Sequence, residues 1–398
     1  MPVEITSVDE HSGAAFRAPG HVTVADVASH QKLAFEDIAT PAVLVDLDRV
    51  ERNVKRFHAA IAGDGVALRP HAKTHKTPEI AALQLESGAI GLALAKASEA
   101  EVFCEAGCSD LVVAYPLIGS DKWQRVAALA KTAKVSVNVE SEAGARGLSD
   151  AARAAGVTLG VQIEIDTGLG RCGFPLDDVA EIERLARALQ RLPGLTLEGI
   201  TTFRGRSFGG AAEMTNAEAG RSEAAIMVEL ADRLRENGLP IERVTVGSTA
   251  TGPSAAKVDG ITEVRAGAYV FYDGAHVSGG SATFDDVALT VLCTVVSAKR
   301  SGSATVDAGS KTFSSAQPPP GSDSSAFAAS IDGLATLMQL SEEHGVAALR
   351  ECAVEVGQRL RFVPYRASAV VGLANELVCV RAGRVEDIWS VRARGKQT

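Results

Sequence analysis

Residues 42–69 read AVLVDLDRVERNVKRFHAAIAGDGVALR. A short apolar run, Ala42–Leu47, gives way to Asp48–Ala62, where Val50, Val54, Phe57 and Ile61 recur at three- and four-residue spacing behind an Asp cap. A second apolar run, Val66–Arg69, follows. Period two, then period 3.6, then period two again is the pattern of a strand, a helix packed on it, and a parallel strand beside the first. The same rhythm continues through Ile90–Ala95, Asp110–Tyr115, Val135–Val139, Thr158–Ile165, Leu195–Phe203 and Glu242–Gly247, each run followed by a plausible helix. Between two of them Leu176–Leu192 repeats the helical stripe with Val179, Ile182, Leu185 and Leu189. Counted from Ala42, eight such units predict an α/β fold of the (β/α)8 TIM-type barrel class. A doubly wound sheet is the alternative, and the strand count favours the barrel.

After Asp273 the texture changes to β-branched runs separated by turn residues: Val287–Val296, Ser303–Asp307, Arg361–Val363, Glu376–Arg381 and Val385–Val391. These predict a C-terminal, mainly β domain over 274–398, following a barrel over 38–273. Residues 1–37 are read as a segment joining the β domain, with Val22–Val27 and Leu33–Phe35 as possible strand material. Gln317–Ala326, QPPPGSDSSA, has too little apolar surface to build a core and is expected to be an exposed loop.

The chain of 398 residues has a formal charge of −9, and its 40 Lys and Arg are spread along it. That distribution argues against nucleic acid and anionic membrane as partners. No apolar run reaches the roughly 18 residues of a membrane span, and the N-terminal stretch has neither a basic start nor an apolar core, so a cytoplasmic location is expected. The six cysteines are scattered without a CxxC pair and are read as reduced thiols, with Cys104 and Cys108 as small core residues.

In such a barrel the chemistry belongs at the C-terminal ends of the strands. Arg69-Pro70-His71-Ala72-Lys73-Thr74-His75-Lys76 places five ionisable groups directly after a strand. Gly247-Ser248-Thr249-Ala250-Thr251-Gly252-Pro253-Ser254 supplies glycines that let backbone N–H groups approach an anion, hydroxyl donors, and a Pro suited to a helix start. Gly168-Leu169-Gly170-Arg171-Cys172-Gly173 matches GxGxxG, the dinucleotide fingerprint. It lacks the acidic residue about 20 positions on and would belong to the sixth unit rather than the first, so a nicotinamide cofactor is set aside. A phosphate cradle with a crowded lysine on another strand end describes pyridoxal 5'-phosphate.

Here the sequence resembles a known family. The run Arg69 to Lys76 is preceded by Thr40-Pro41 and Asp46, and followed by Asp166-Thr-Gly-x-Gly-Arg171-Cys-Gly173. Further matches are Glu263-x-Arg265-x-Gly267-x-Tyr269-Val-Phe-Tyr272-Asp273, Asp307-Ala-Gly309-Ser-Lys311, Ser341-Glu-Glu-His344-Gly345, and Trp389 with Ala393-Arg394-Gly395. Together these resemble the D-threonine aldolase and D-serine dehydratase family of alanine-racemase-like pyridoxal phosphate enzymes, from about residue 38 to the end. The resemblance implies a PLP-dependent lyase acting on a β-hydroxy amino acid of D configuration, by retro-aldol cleavage or β-elimination, as a homodimer. A PLP-dependent racemase or epimerase and a non-catalytic PLP-binding protein are the alternatives. It implies Lys73 as the Schiff-base lysine, not Lys76. Arg171 would face the pyridine nitrogen, Ser248, Thr249, Gly252 and Tyr272 would hold phosphate, and His71 and Asp273 would be further cofactor contacts.

Two departures stand out. Where the family carries metal ligands, a His and, two residues later, a Cys or Asp after a Pro, this chain reads Pro364-Tyr365-Arg366-Ala367-Ser368. Neither a permanently protonated Arg nor a neutral Ser is a good ligand, which leaves a divalent metal doubtful. Where the family carries Tyr-His-Gly, this chain has Phe203-Arg204-Gly205-Arg206-Ser207. Three arginines in that neighbourhood, Arg204, Arg206 and Arg366, together with Ser368, are expected to bind a substrate with a second acidic group. His344 and Tyr365, beside Lys73, are the candidate proton donors.

Overall fold

Leu159–Asp166 is buried along almost its whole length, as a strand must be when helices cover one face of its sheet and a barrel interior the other. A computed structural model describes residues 37–63, 65–204, 214–318, 326–350 and 353–398. In it eight parallel strands run round one nine-stranded sheet: β1 Ala67–Leu68, β2 Leu92–Leu94, β3 Asp110–Val113, β4 Lys134–Val139, β5 Leu159–Asp166, β6 Leu195–Thr202, β7 Arg243–Val246 and β8 Glu263–Val264, with the two-residue strand Phe174–Pro175 paired to β5 off that path. Their spatial order is β1-β8-β7-β6-β5-β4-β3-β2. The two ends meet through Ile90 N–H donating to Leu68 O at 3.0 Å and Ala93 N–H donating to Pro70 O at 2.8 Å, with a parallel bridge between His71 and Ala93. The expected barrel is present and closed.

Its strand membership differs from the sequence reading at both ends. Ala42–Asp46 is a strand, but it pairs antiparallel with Leu289–Arg300 and parallel with Glu376–Arg381, in the second domain's sheet. The eighth barrel place is taken by β8, only two residues long. Val43, Leu44 and Val45 are all buried, so the run suits a central strand of either sheet, and local periodicity carries no information on which. The barrel strands therefore lie within 67–264, while residues 42–46 of the predicted 38–273 domain belong to the β domain. The helix Leu47–Ala62 connects the two, capped by Asp46, which accepts from Arg49 N–H at 3.1 Å. It buries Val50, Val54, Phe57 and Ile61, the stripe read from sequence.

The second sheet has nine strands. Six of them, Leu289–Arg300, Arg359–Pro364, Ala328–Ser330, Ala335–Leu340, Gly345–Leu349 and Ser303–Val306, pair antiparallel in that order and return to Leu289–Arg300, closing a small barrel. The three between 328 and 349 were not read from sequence, being short and alanine-rich without alternation. The predicted strands at Val22–Val27 and Leu33–Phe35, and most of the 317–326 loop, lie outside the described residues. No helix among the described residues is long and apolar enough to cross a membrane.

An ion network reaches the first residues of β3, β7 and β8, Asp110, Arg243 and Glu263. Arg69, 1 % exposed, donates to Glu263 at 3.1 Å and to Asp110 at 2.7 Å, and Arg243 bridges Glu263 and Glu198. This face holds the barrel together and leaves the opposite face to chemistry.

Candidate active site

The loop after β1 sorts its two lysines. Lys76, buried and in a left-handed conformation at φ 53°, is held in an ion pair with buried Glu99 and lies 3.4 Å from Ala393 O. Its own carbonyl accepts from Ala393 N–H at 3.0 Å, tying the loop to the C-terminal motif. Lys73 stands instead at the C-terminal end of the barrel, in a cavity of about 920 Å³. No carboxylate among the described residues pairs with it. Its side chain is open to the cavity, yet the walls surround it, and that poor hydration lowers its pKa to about 8; the positive charges of Arg171 and Arg265 act in the same direction, and Glu99 opposes them. His71, Nδ1 toward its own loop, is pushed well below the usual imidazole range by burial and then by Lys73 and Arg265. Burial takes His75 down to about 4, and its Nδ1 faces Thr77. Both histidines are neutral at pH 7.

Across the cavity, the loop after β7 turns at Gly247, whose φ of 88° favours glycine. The Ser248 and Thr251 hydroxyls are bonded to one another at 2.9 Å, and Thr249 Oγ1 accepts from Tyr269 N–H at 3.1 Å. Among the described residues the N–H groups of Thr249, Ala250 and Gly267 have no acceptor, and all three residues line the cavity. A Cβ on Gly267 would stand 2.6 Å from His71 O and 2.7 Å from Thr74 Oγ1. Gly252 is outside the cavity lining; it donates to Ser248 O at 2.8 Å and fits closely on Val264, so it shapes the loop from behind.

The would-be dinucleotide loop is already satisfied. Asp166 Oδ1 accepts from the N–H groups of Gly168 and Leu169 at 2.9 and 2.8 Å, and Oδ2 from Gly170 at 2.9 Å. Those are donors a pyrophosphate would need. Arg171 reaches over the Phe203 ring at 5.5 Å, and Lys73 Nζ lies 5.9 Å from the same ring. Arg265, with little warning in the sequence beyond its motif, also lines the cavity. It donates to Thr201 Oγ1 and Thr202 O, while its buried Nε has no partner among the described residues.

The remaining wall is the segment after the strand Arg359–Pro364. Tyr365, Arg366 and Ser368 all line the cavity. Facing them is His276, a residue the sequence reading passed over because no spacing pattern marks it. Asp273, 3 % exposed, lies outside the lining and grips His276. Its Oδ1 meets Nδ1 at 2.5 Å, and its Oδ2 accepts from Ala367 N–H at 3.1 Å. Tyr272, at φ 48°, is also outside the lining, with the Arg56 guanidinium 5.9 Å from its ring. Arg204 is buried away from the cavity, its backbone N–H on Glu223 at 2.8 Å and its guanidinium on Ala219 O at 2.9 Å. His344 occupies an exposed turn between two strands of the β domain, outside the cavity lining. Arg206 lies outside the described residues.

With that geometry in place, comparison with known proteins is direct. Residues 45–274 match the alanine racemase N-terminal domain and residues 288–380 a putative serine dehydratase domain. The chain is 36 % identical to a D-threonine aldolase of Arthrobacter sp. over 90 % of its length and 93 % of the relative's. The chain belongs to this family of pyridoxal-phosphate-dependent D-threonine aldolases and D-threo-3-hydroxyaspartate dehydratases, lyases acting on β-hydroxy amino acids. A D-threo-3-hydroxyaspartate dehydratase of Delftia sp. is 38 % identical over 68 % of this chain and 71 % of its own. The crystal structure of a D-threonine aldolase from Filomicrobium marinum superposes with a TM-score of 0.82 at 29 % identity, covering 93 % of this chain and 99 % of that one.

The family implies pyridoxal phosphate, and the residues present fit it. One unpaired amine opens into the cavity, and three acceptor-less N–H groups stand beside a glycine whose missing Cβ leaves the cradle open. A divalent ion fits less well at the Tyr365–Ser368 corner, where a guanidinium and a hydroxyl occupy the places at which the family carries ligands.

Proposed function

We propose that the chain is a lyase for a β-hydroxy D-amino acid bearing a second acidic group, and that it works without a metal at the Tyr365–Ser368 corner. The observation that carries this reading is Arg366, whose side chain is exposed within the shared cavity and stacked 5.4 Å from the Tyr365 ring. A guanidinium there repels a cation and offers a planar pair of donors to a carboxylate. That a similar dehydratase bears the name of 3-hydroxyaspartate, a diacid, accords with it.

When bound, pyridoxal phosphate supplies an electron sink conjugated to the substrate's Cα. The protein does the rest. The N–H groups of Thr249, Ala250 and Gly267 would hold the cofactor's phosphate. Lys73 would hold its aldehyde carbon and would move the proton at Cα. Arg265, half-buried and anchored on Thr201 and Thr202, suits the ring nitrogen better than Arg171, whose side chain is 52 % exposed on a loop; the Arg171 side chain lies over Phe203. Either arginine stays protonated and leaves that nitrogen unprotonated. The working unit is a cytoplasmic homodimer, which sedimentation of the holoenzyme tests.

The deciding experiment incubates holoenzyme with D- and L-β-hydroxy amino acids, neutral and acidic, with and without chelator. Glycine plus aldehyde reports cleavage, and keto acid plus ammonia reports elimination. Arg366→Ala should raise KM for the diacid roughly 10- to 100-fold, the worth of one charge-assisted hydrogen bond, and leave D-threonine unchanged. Equal effects on both substrates, or activity lost to chelator, would overturn the reading.

A further inference from the structure

We propose that His276, held by Asp273, exchanges the proton of the substrate's β-hydroxyl; this rests on the lyase reading above. The sequence has no histidine at 203–207, and Arg366 and Ser368 stand where the family carries ligands, so neither place supplies a basic group for the β-oxygen. The structure supplies one on a different element. The short helix Gly274–Ser278 is fastened to the Tyr365–Ala367 segment by Ala275 N–H donating to Tyr365 O at 3.1 Å. Gly274 sits so close that a Cβ there would lie 3.2 Å from Tyr365 Cα. His276 is thereby held at the cavity wall beside Tyr365, Arg366 and Ser368, in the same cavity as Lys73.

The hydrogen bonds fix its chemistry. Asp273 Oδ1 accepts a hydrogen bond from Nδ1–H, and Oδ2 accepts from Ala367 N–H. Nδ1–H on a carboxylate leaves Nε2 as the basic nitrogen. The Tyr272 ring lies edge-on, centroids 5.8 Å apart, and limits rotation of the imidazole. The other candidates differ: His71 also lines the cavity, but its Nδ1 accepts from Lys73 N–H at 3.5 Å, which leaves the proton of the neutral ring on Nε2; His75 and His344 are outside the cavity lining, and Tyr365, which is in it, has no carboxylate among the described residues bonded to its hydroxyl.

In cleavage, Nε2 takes the hydroxyl proton, the oxygen's pair forms the new C=O bond, and the Cα–Cβ pair remains at Cα, which a proton later joins. In elimination, Lys73 takes the Cα proton, that pair forms the Cα=Cβ bond, and the Cβ–O pair leaves with oxygen, which protonated Nε2 converts to water. Lys73 thus serves Cα and His276 serves the β-oxygen.

The test compares wild-type and His276→Gln holoenzymes in two reactions, β-bond turnover of 3-hydroxy-D-aspartate and D-threonine, and exchange of the Cα proton of D-alanine in D2O. Turnover should fall roughly 10²- to 10⁴-fold, the usual contribution of a positioned acid or base, while the exchange carried by Lys73 continues. Imidazole added to His276→Ala should restore part of the turnover. Turnover within about threefold of wild type, or exchange falling in parallel with it, overturns the assignment. A wild type that exchanges D-alanine but turns over no β-hydroxy amino acid overturns the lyase reading as well, and one that does neither removes the cofactor assignment too. Independently of activity, nitrogen NMR of the cofactor-free protein should show His276 as the Nδ1–H tautomer, and the Nε2–H tautomer would overturn the pairing with Asp273.

Discussion

A lysine that captures an aldehyde must first be neutral, and the cavity around Lys73 provides for that. An ordinary lysine titrates near ~10.4, so at about pH 7 only about one amine in 2,500 is unprotonated. With its pKa lowered to about 8 by the surrounding walls and then by Arg171 and Arg265, about one in eleven is, roughly a two-hundredfold gain in reactive amine. The assay mixes cofactor-free protein with excess pyridoxal phosphate and follows the growth of the visible band from about pH 6 to about pH 11, with a free-lysine model compound correcting for the cofactor's own titration. The corrected capture rate should climb with pH and level off near 8. Arg171→Gln removes one of the repelling charges, so the break should move upward, by up to about one unit. A rate that rises unbroken past about pH 10 would mean that the ammonium is hydrated as in water, and the desolvation argument would be refuted.

Two further outcomes follow from the barrel. Glu263→Gln leaves buried Arg69 and partly buried Arg243 without their shared carboxylate and should destabilise the fold by about 3–5 kcal/mol in urea unfolding. Burial opposes ionisation of Glu263, but the two arginines outweigh it and hold its pKa below the usual carboxylate range. Its contribution is therefore complete above the unfolded value near ~4.3 and is lost as pH falls through the lower folded value, a pH dependence the variant should lack. Gly267→Ala drives a methyl against His71 O and Thr74 Oγ1; overpacking of this kind costs about 1–3 kcal/mol, and absorbance titration should show cofactor affinity down by about tenfold or more.

That the 69–76 and 247–254 segments meet at one cavity was readable because each is local to a strand end. Ser248 and Thr249 sit in a glycine- and hydroxyl-rich loop that any βα barrel places at the strand ends, and the 69–76 run follows its strand directly. What failed to be readable required partners distant in sequence. Arg204 looked like a substrate anchor, but its guanidinium donates to the Ala219 carbonyl and its backbone N–H to the Glu223 carboxylate, both on the helix Asn216–Glu236, and it stays outside the cavity lining. Asp273 looked like a cofactor contact, and its lone pairs are taken by His276 and Ala367.

The sequence alone determined the alternation of strands and helices, the β-rich second domain, and the pairing of a lysine with an anion-ready loop. Each depends on the spacing of residues a few positions apart. Tertiary structure decided that Ala42–Asp46 leaves the barrel and Glu263–Val264 completes it, that Lys76 is spent on Glu99 while Lys73 stays open, and that Arg265 and His276 line one cavity with Arg366. The reason is the same throughout: backbone periodicity specifies which face of an element is apolar, whereas the partner that meets that face, or neutralises a given charge, is chosen only when segments hundreds of residues apart close around one cavity.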